Sequence, residues 1–171
     1  RYRVEGYICH MLRKVVGDAQ FFHIYKTYVD QRVQSGKPIS TAQFREIAEH
    51  IHGKPLDWFF DQWVNSKELP RLRLEEAAVT QAKEGWQVEG RLLQLGRTTF
   101  RLPIDLAIDA KNGRKIHTLW MDDKVLDFNF HSPTKPERLI VDPEFEVLKL
   151  QKMPALISRF WNSYPDYVVI Y

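Results

Sequence analysis

The hydrophobic period of this chain changes once, near residue 70, and that change constrains the fold more than any other feature. Up to about residue 68, apolar residues recur at helical spacing. Phe44, Ile47, Ala48 and Ile51 stand at i, i+3, i+4 and i+7, and Leu56, Phe59, Phe60 and Trp63 repeat the pattern. After Pro70 the period becomes two: Leu102, Ile104, Leu106 and Ile108 alternate with Pro103, Asp105 and Ala107, and Leu126, Phe128 and Phe130 follow suit. A chain of 171 residues has room for one ordinary domain or two small ones.

The helical part punctuates itself. Tyr7 to Val16 reads as a helix stopped by Gly17, with Asp18 as the N-cap of the next. In that second helix Phe21, Tyr25, Tyr28 and Val29 form an aromatic stripe, and Gly36 ends it. Ser40 followed by Gln43 has the form of a capping box, and the helix behind it ends at Gly53. Pro55 opens a short, very aromatic helix whose stripe is core.

In the second half, runs at 71–79, 86–94, 98–109, 114–121, 124–130, 138–142 and 145–150 read as about seven short strands. Asn112-Gly113 predicts a hairpin with a type I′ turn, and Pro103 belongs on an edge strand or a bulge. The fold class expected is α+β. A helical subdomain of about four helices over 1–68 precedes an antiparallel β-sandwich over 69–150. Residues 151–171 are expected to be a linker or the start of a further module, with a return to helix over 153–161. Arg1 and the apolar run Val168–Tyr171 read as cuts in a longer chain, and localisation is unreadable from this stretch.

Chemistry is sparse. Cys9 is the only cysteine, which excludes an intrachain disulfide and a multi-Cys zinc site, and it reads as a small buried hydrophobe. The net charge of +3 is spread without a basic stripe, so no nucleic-acid partner is expected. No apolar run is long enough for a membrane span. Glu46 and His50 can share a helix face, but no His-Glu-x-x-His occurs, and His50 and His52 read as a solvated helix end. There is no Gly-x-Ser-x-Gly elbow and no Gly-rich phosphate loop. The pairs Glu75-Glu76 and Asp122-Asp123 read as strand-end or turn charges.

Two segments carry a resemblance. Tyr2 to Phe22 (YRVEGYICHMLRKVVGDAQFF) and Leu56 to Leu72 (LDWFFDQWVNSKELPRL), with Thr41-Ala42-Gln43-Phe44 between them, resemble the end of the catalytic domain of aminopeptidase-N-like zinc metallopeptidases, a gluzincin family. The hexapeptide Trp58-Phe59-Phe60-Asp61-Gln62-Trp63, followed by Pro70-Arg71-Leu72, is the specific part. Pro103, Trp120 and Leu139-Ile140-Val141-Asp142-Pro143 also look like the family's sandwich domain.

The resemblance implies a parent that hydrolyses N-terminal peptide bonds of peptide substrates. Zinc, held by two His and a Glu, polarises a water there, and a further Glu is the general base. A Tyr donates a hydrogen bond to the tetrahedral oxyanion. Aligning Met11-Leu12 and Gly17-Asp18 without a gap puts Tyr2 in that slot, as the one catalytic residue carried over. The zinc ligands are expected upstream of Arg1, so the segment alone is expected to bind no catalytic zinc or other cofactor and to be inactive. Its expected partner is the upstream catalytic subdomain, whose absence predicts an exposed apolar surface on the helical part. The alternative is a parent that keeps the scaffold as a non-catalytic interaction protein. Val4-Glu5, standing where the family has Lys-Gly, gives that alternative its weight.

Overall fold

A computed structural model describes residues 2–150 and 166–169. The chain divides into two units, Arg1–Glu68 and Leu69–Tyr171. The first is helical: α1 (Tyr2–Val16), α2 (Asp18–Ser35), α3 (Thr41–His52) and α4 (Asp57–Phe60), the last running into a π-helical turn at Asp61–Asn65.

Each helix buries one apolar face. Met11, Leu12 and Val16 of α1, Ile24 of α2, and Ile47 and Ala48 of α3 are buried together with Leu56, Phe59, Phe60 and Trp63. The aromatic stripe is therefore core, as its spacing predicts. Edge-to-face contacts link three elements: Tyr28 meets Phe44 at 5.4 Å between centroids, and Phe44 meets Phe60 at 6.2 Å.

The stripe expected on α2 is divided. Of its four residues Phe21 and Tyr28 are half-buried and Tyr25 and Val29 are exposed, as are Phe22 and Val33, while the buried residue of α2 is Ile24, outside the stripe. The helical unit thus does carry an exposed apolar surface. Cys9, expected to be buried, is exposed as well, because the inner face of α1 runs through Met11, Leu12 and Val16.

Helix ends follow local chemistry. Gly17, not Asp18, is the N-cap of α2, and the Asp18 carboxylate instead takes a two-pronged bond from Arg13 at 2.8 and 2.7 Å. Gly36 and Gly53 adopt left-handed conformations at the C-caps, where a side chain would be strained. The capping box is present: the Gln43 N–H donates to Ser40 Oγ at 3.3 Å, and the Ser40 N–H donates to Gln43 Oε1 at 2.9 Å. Ser40→Ala removes the acceptor and is expected to destabilise the chain by about 1 kcal/mol, measured as a lower midpoint in urea unfolding.

The second unit holds seven strands: β1 (Arg71–Gln81), β2 (Trp86–Leu95), β3 (Leu102–Ala110), β4 (Gly113–Met121), β5 (Val125–Ser132), β6 (Pro136–Val141) and β7 (Asp166–Val169). They form two sheets, ordered β1-β2-β5 and β4-β3-β6-β7, with every pair antiparallel. Val88, Leu92 and Phe128 from the first sheet are buried, as are Leu102, Ile104, Leu106, Leu139 and Val141 from the second. Alternate residues along the strands supply these positions, as the period of two requires.

Gly90 of β2 lies opposite Phe128 of β5, and a Cβ on it would meet the Phe128 ring at 2.7 Å. Gly90→Ala overpacks this contact. The expected loss is about 1–3 kcal/mol, read by thermal unfolding.

Five expectations are corrected here. The seventh strand, expected at 145–150, does not form; Asp142 and Phe145 take positive φ of 52° and 54°, and the Asp142 side chain accepts the N–H groups of Glu146 and Val147. That local bonding competes with a ladder. Within residues 151–171, Asp166–Val169 extends the sheet by pairing with β6; the helix expected at 153–161 lies outside the described residues.

The hairpin forms, yet Ala110 pairs with Gly113, so its turn is Lys111-Asn112. Neither of these has a positive φ, and Gly113 carries it instead at 119°. The turn is therefore not of type I′, which needs a positive φ at both central residues. Glu75-Glu76 lies inside β1, at a bulge where Glu76 has φ 51°, rather than at a strand end. Asp122-Asp123 does form the turn between β4 and β5. Pro103 lies on an inner strand and not on an edge, but it pairs only with Trp120 on β4, since pairing to β6 begins at Leu106, so its missing N–H falls on a flank of β3 without a ladder.

Candidate functional site

Tyr2 is the first residue of α1, and the helix runs without a break from it to Val16. Gly6 lies one turn further on, with open space where a Cβ would stand, so packing in this chain does not require a glycine there. The position of Tyr2 at a helix start follows from its backbone.

Glu46 and His50 do share a face of α3, as their spacing predicts. With Gln43 they line an open groove whose other wall is His23, Thr27 and Gln31 of α2. The groove has polar walls over an Ile47 and Ile51 floor. No group of three or more His, Cys, Asp or Glu side chains among the described residues stands close enough to hold a metal ion. His50 is exposed, as expected, but His52 is half-buried. Its Nδ1 lies 2.6 Å from Gln20 Oε1, and burial followed by the charge of Lys54 holds its pKa below the ordinary value.

The sandwich holds three polar constellations that sequence reasoning did not single out as sites. Gln94 is buried at an inward position of β2. Its Nε2 donates to the carbonyls of Phe100 at 2.6 Å and Asp123 at 3.1 Å, and its Oε1 accepts the Phe100 N–H at 2.9 Å. Lys124 Nζ donates to the carbonyls of Gly96, Arg97 and Thr98 at 2.9, 3.0 and 2.9 Å. Together these tie the β4–β5 turn to the segment before β3. The only sequence signal was a polar residue interrupting an apolar alternation.

The second constellation is the ion pair of Asp142 and Lys149, whose side chains are 1% and 3% exposed. Asp142 also accepts from Glu146 N–H at 2.8 Å and from Val147 N–H at 3.2 Å. The third is His117 of β4, stacked on Phe130 of β5 with ring centroids 4.0 Å apart. None of the three offers an activated nucleophile, and each reads chemically as a device that holds backbone in place.

No protein-family model matches the sequence, and no curated protein matches it. Among solved structures, the chain is similar to Legionella pneumophila aminopeptidase A, whose crystal structure was determined in complex with aspartic acid. The match has a TM-score of 0.65 at 16% identity and covers 87% of this chain. It covers 17% of the aminopeptidase chain, so the present sequence corresponds to a minor part of that protein's length. At this identity the likeness establishes the fold alone: helices followed by two antiparallel sheets.

Proposed function

We propose that this chain is the end of the catalytic domain and the following β-sandwich of a zinc-dependent peptidase of aminopeptidase type, in which Tyr2 donates a hydrogen bond to the tetrahedral oxyanion. The observation that carries the reading is the aromatic hexapeptide from Trp58 to Trp63. It sits as core in a helical unit before a sandwich, in a chain whose fold is similar to part of an aminopeptidase. The described residues carry no donor set for the zinc, so in this reading its ligands belong to sequence before Arg1.

The choice of Tyr2 over its neighbour Arg3 is supported by the regularity of α1. Anchoring the family pattern on Gly6 instead would give the slot to Arg3 and shorten its distance to Met11 by one residue. In a helix that is α-helical from Tyr2 to Val16, that turns the slot by about 100° relative to the face carrying Met11 and Leu12. The phenol contributes an O–H donor aimed at charge that develops only as the peptide carbonyl becomes tetrahedral.

The second reading, a scaffold without peptidase activity, draws on Val4-Glu5 in place of Lys-Gly. One experiment separates the two. The coding sequence preceding Arg1 is read, and the complete protein is assayed on aminoacyl chromogenic substrates before and after chelation. The peptidase reading expects His-Glu-x-x-His with a downstream Glu, and activity that chelation abolishes and zinc restores. An intact reading frame with those ligands replaced, and no hydrolysis, supports the scaffold.

A further inference from the structure

His117 belongs to β4, at the edge of its sheet, and Phe130 to β5, at the edge of the other. Their rings lie nearly parallel, 17° apart, and Phe130 continues the stack onto Phe128 at 5.4 Å. The imidazole thus serves as a flat apolar plate between two sheets whose edges meet there. Its Nε2 is buried and has no hydrogen-bond partner among the described residues. As a neutral ring it tolerates this site; as a cation it would bury an N–H without an acceptor.

The surroundings offer the cation nothing. On β3 the residue paired with His117 is Leu106, and on β5 the facing residues are Phe130 and Phe128. Asp105 and Asp109 of β3 are at the opposite parity of the strand and bond to Thr118 and Arg114. His131 of β5 is also at the opposite parity, and its Nε2 lies 2.6 Å from the Glu84 carbonyl. Among the described residues the charge that acts on His117 is that of Lys115, two residues before it on β4, and it too opposes protonation.

The ends of β4 are held independently. Gln94 and Lys124 tie down the β4–β5 turn, and Thr134 Oγ1 donates to Asn112 Oδ1 at 2.6 Å beside the β3–β4 turn. Among the described residues, the middle of β4 is held by its ladder to β3 and the Thr118–Asp105 bond within that sheet, and toward the other sheet by the His117 stack.

We propose that His117 is an acid-sensitive clasp between the two sheets, closed as a neutral ring and opened by protonation, which frees the middle of β4. The direction agrees with the environment: burial first, then Lys115, lowers the pKa below its ordinary value of 6.5. A histidine with a depressed folded pKa contributes fully above the unfolded pKa. That contribution is lost as pH falls through 6.5 toward the folded value. The inference does not depend on the peptidase reading.

The test is hydrogen exchange on the whole chain at pH 7.5 and pH 5, corrected for intrinsic rates. The expected result is a 3- to 10-fold faster opening of residues 115–119 at the lower pH. His117→Phe, which keeps the stack and cannot titrate, is expected to remove that difference. Persistence of the difference in the Phe variant, or its absence from the unaltered chain, overturns the proposal. If His117→Phe fails to fold, an NMR titration of the unaltered chain decides. A His117 midpoint below that of exposed His50 upholds the clasp, and one equal or higher overturns it.

Discussion

Tyr2→Phe in the full-length protein is expected to lower kcat by about 10²–10³-fold while leaving KM within about 2-fold. The asymmetry follows from where the hydrogen bond acts. A ground-state peptide carbonyl carries little charge, so the phenol O–H contributes little to binding; the oxyanion carries a full charge, so the donor acts chiefly in the transition state. Phe retains the ring and removes only the hydroxyl, so unfolding by urea should be unchanged within about 0.5 kcal/mol. Steady-state kinetics of the two proteins check this. A kcat loss below about 5-fold, with hydrolysis otherwise intact, would remove Tyr2 from the role. In that case Arg3→Ala is the variant to measure next.

Asp142→Ala has the larger structural effect, with an expected loss of about 3–5 kcal/mol in unfolding free energy. The Asp142 carboxylate is the acceptor for Lys149 Nζ and for two backbone N–H groups, all in a buried turn. Removing it leaves an ammonium 3% exposed with its charge partner gone. That penalty exceeds what the pair contributes, because an uncompensated buried charge is worse than an apolar replacement. The double variant Asp142→Ala, Lys149→Met should therefore recover part of the loss. Equal destabilisation of single and double variants in urea titrations would show that the two N–H bonds, not the ion pair, dominate. The consequence reaches β1, because this turn brings Leu150 N–H to the Pro70 carbonyl at 2.9 Å.

The helix-capping residues and the aromatic core were legible in sequence because they depend on spacing within one element. Ser40 finds Gln43 three residues away, and Phe59, Phe60 and Trp63 share a face by helical periodicity alone. Tyr2 as a site rests on the resemblance alone, since a lone tyrosine at a helix start carries no spacing signal. Where the reading failed, the deciding partner was elsewhere. Gly17 displaced Asp18 as a cap because Arg13 captured the carboxylate. The Asn112-Gly113 turn slipped by one residue because the β3–β4 register, set by the inward face of both strands, pairs Ala110 with Gly113.

The expected strand at 145–150 failed for a related reason. Its apolar alternation was adequate, but the Asp142 side chain offered the following N–H groups a nearer acceptor than any strand. Sequence by itself determined the two-part α+β architecture, the helix stops and the alternation of the strands, because each rests on backbone preference and periodic burial over a few residues. Only the tertiary structure decided which face of α2 is buried, where Lys149 finds its counter-charge, and that the His117 ring closes one sheet against the other. Those outcomes depend on pairs far apart in the chain, and a period of 3.6 or 2 holds no information about what will lie across a sheet.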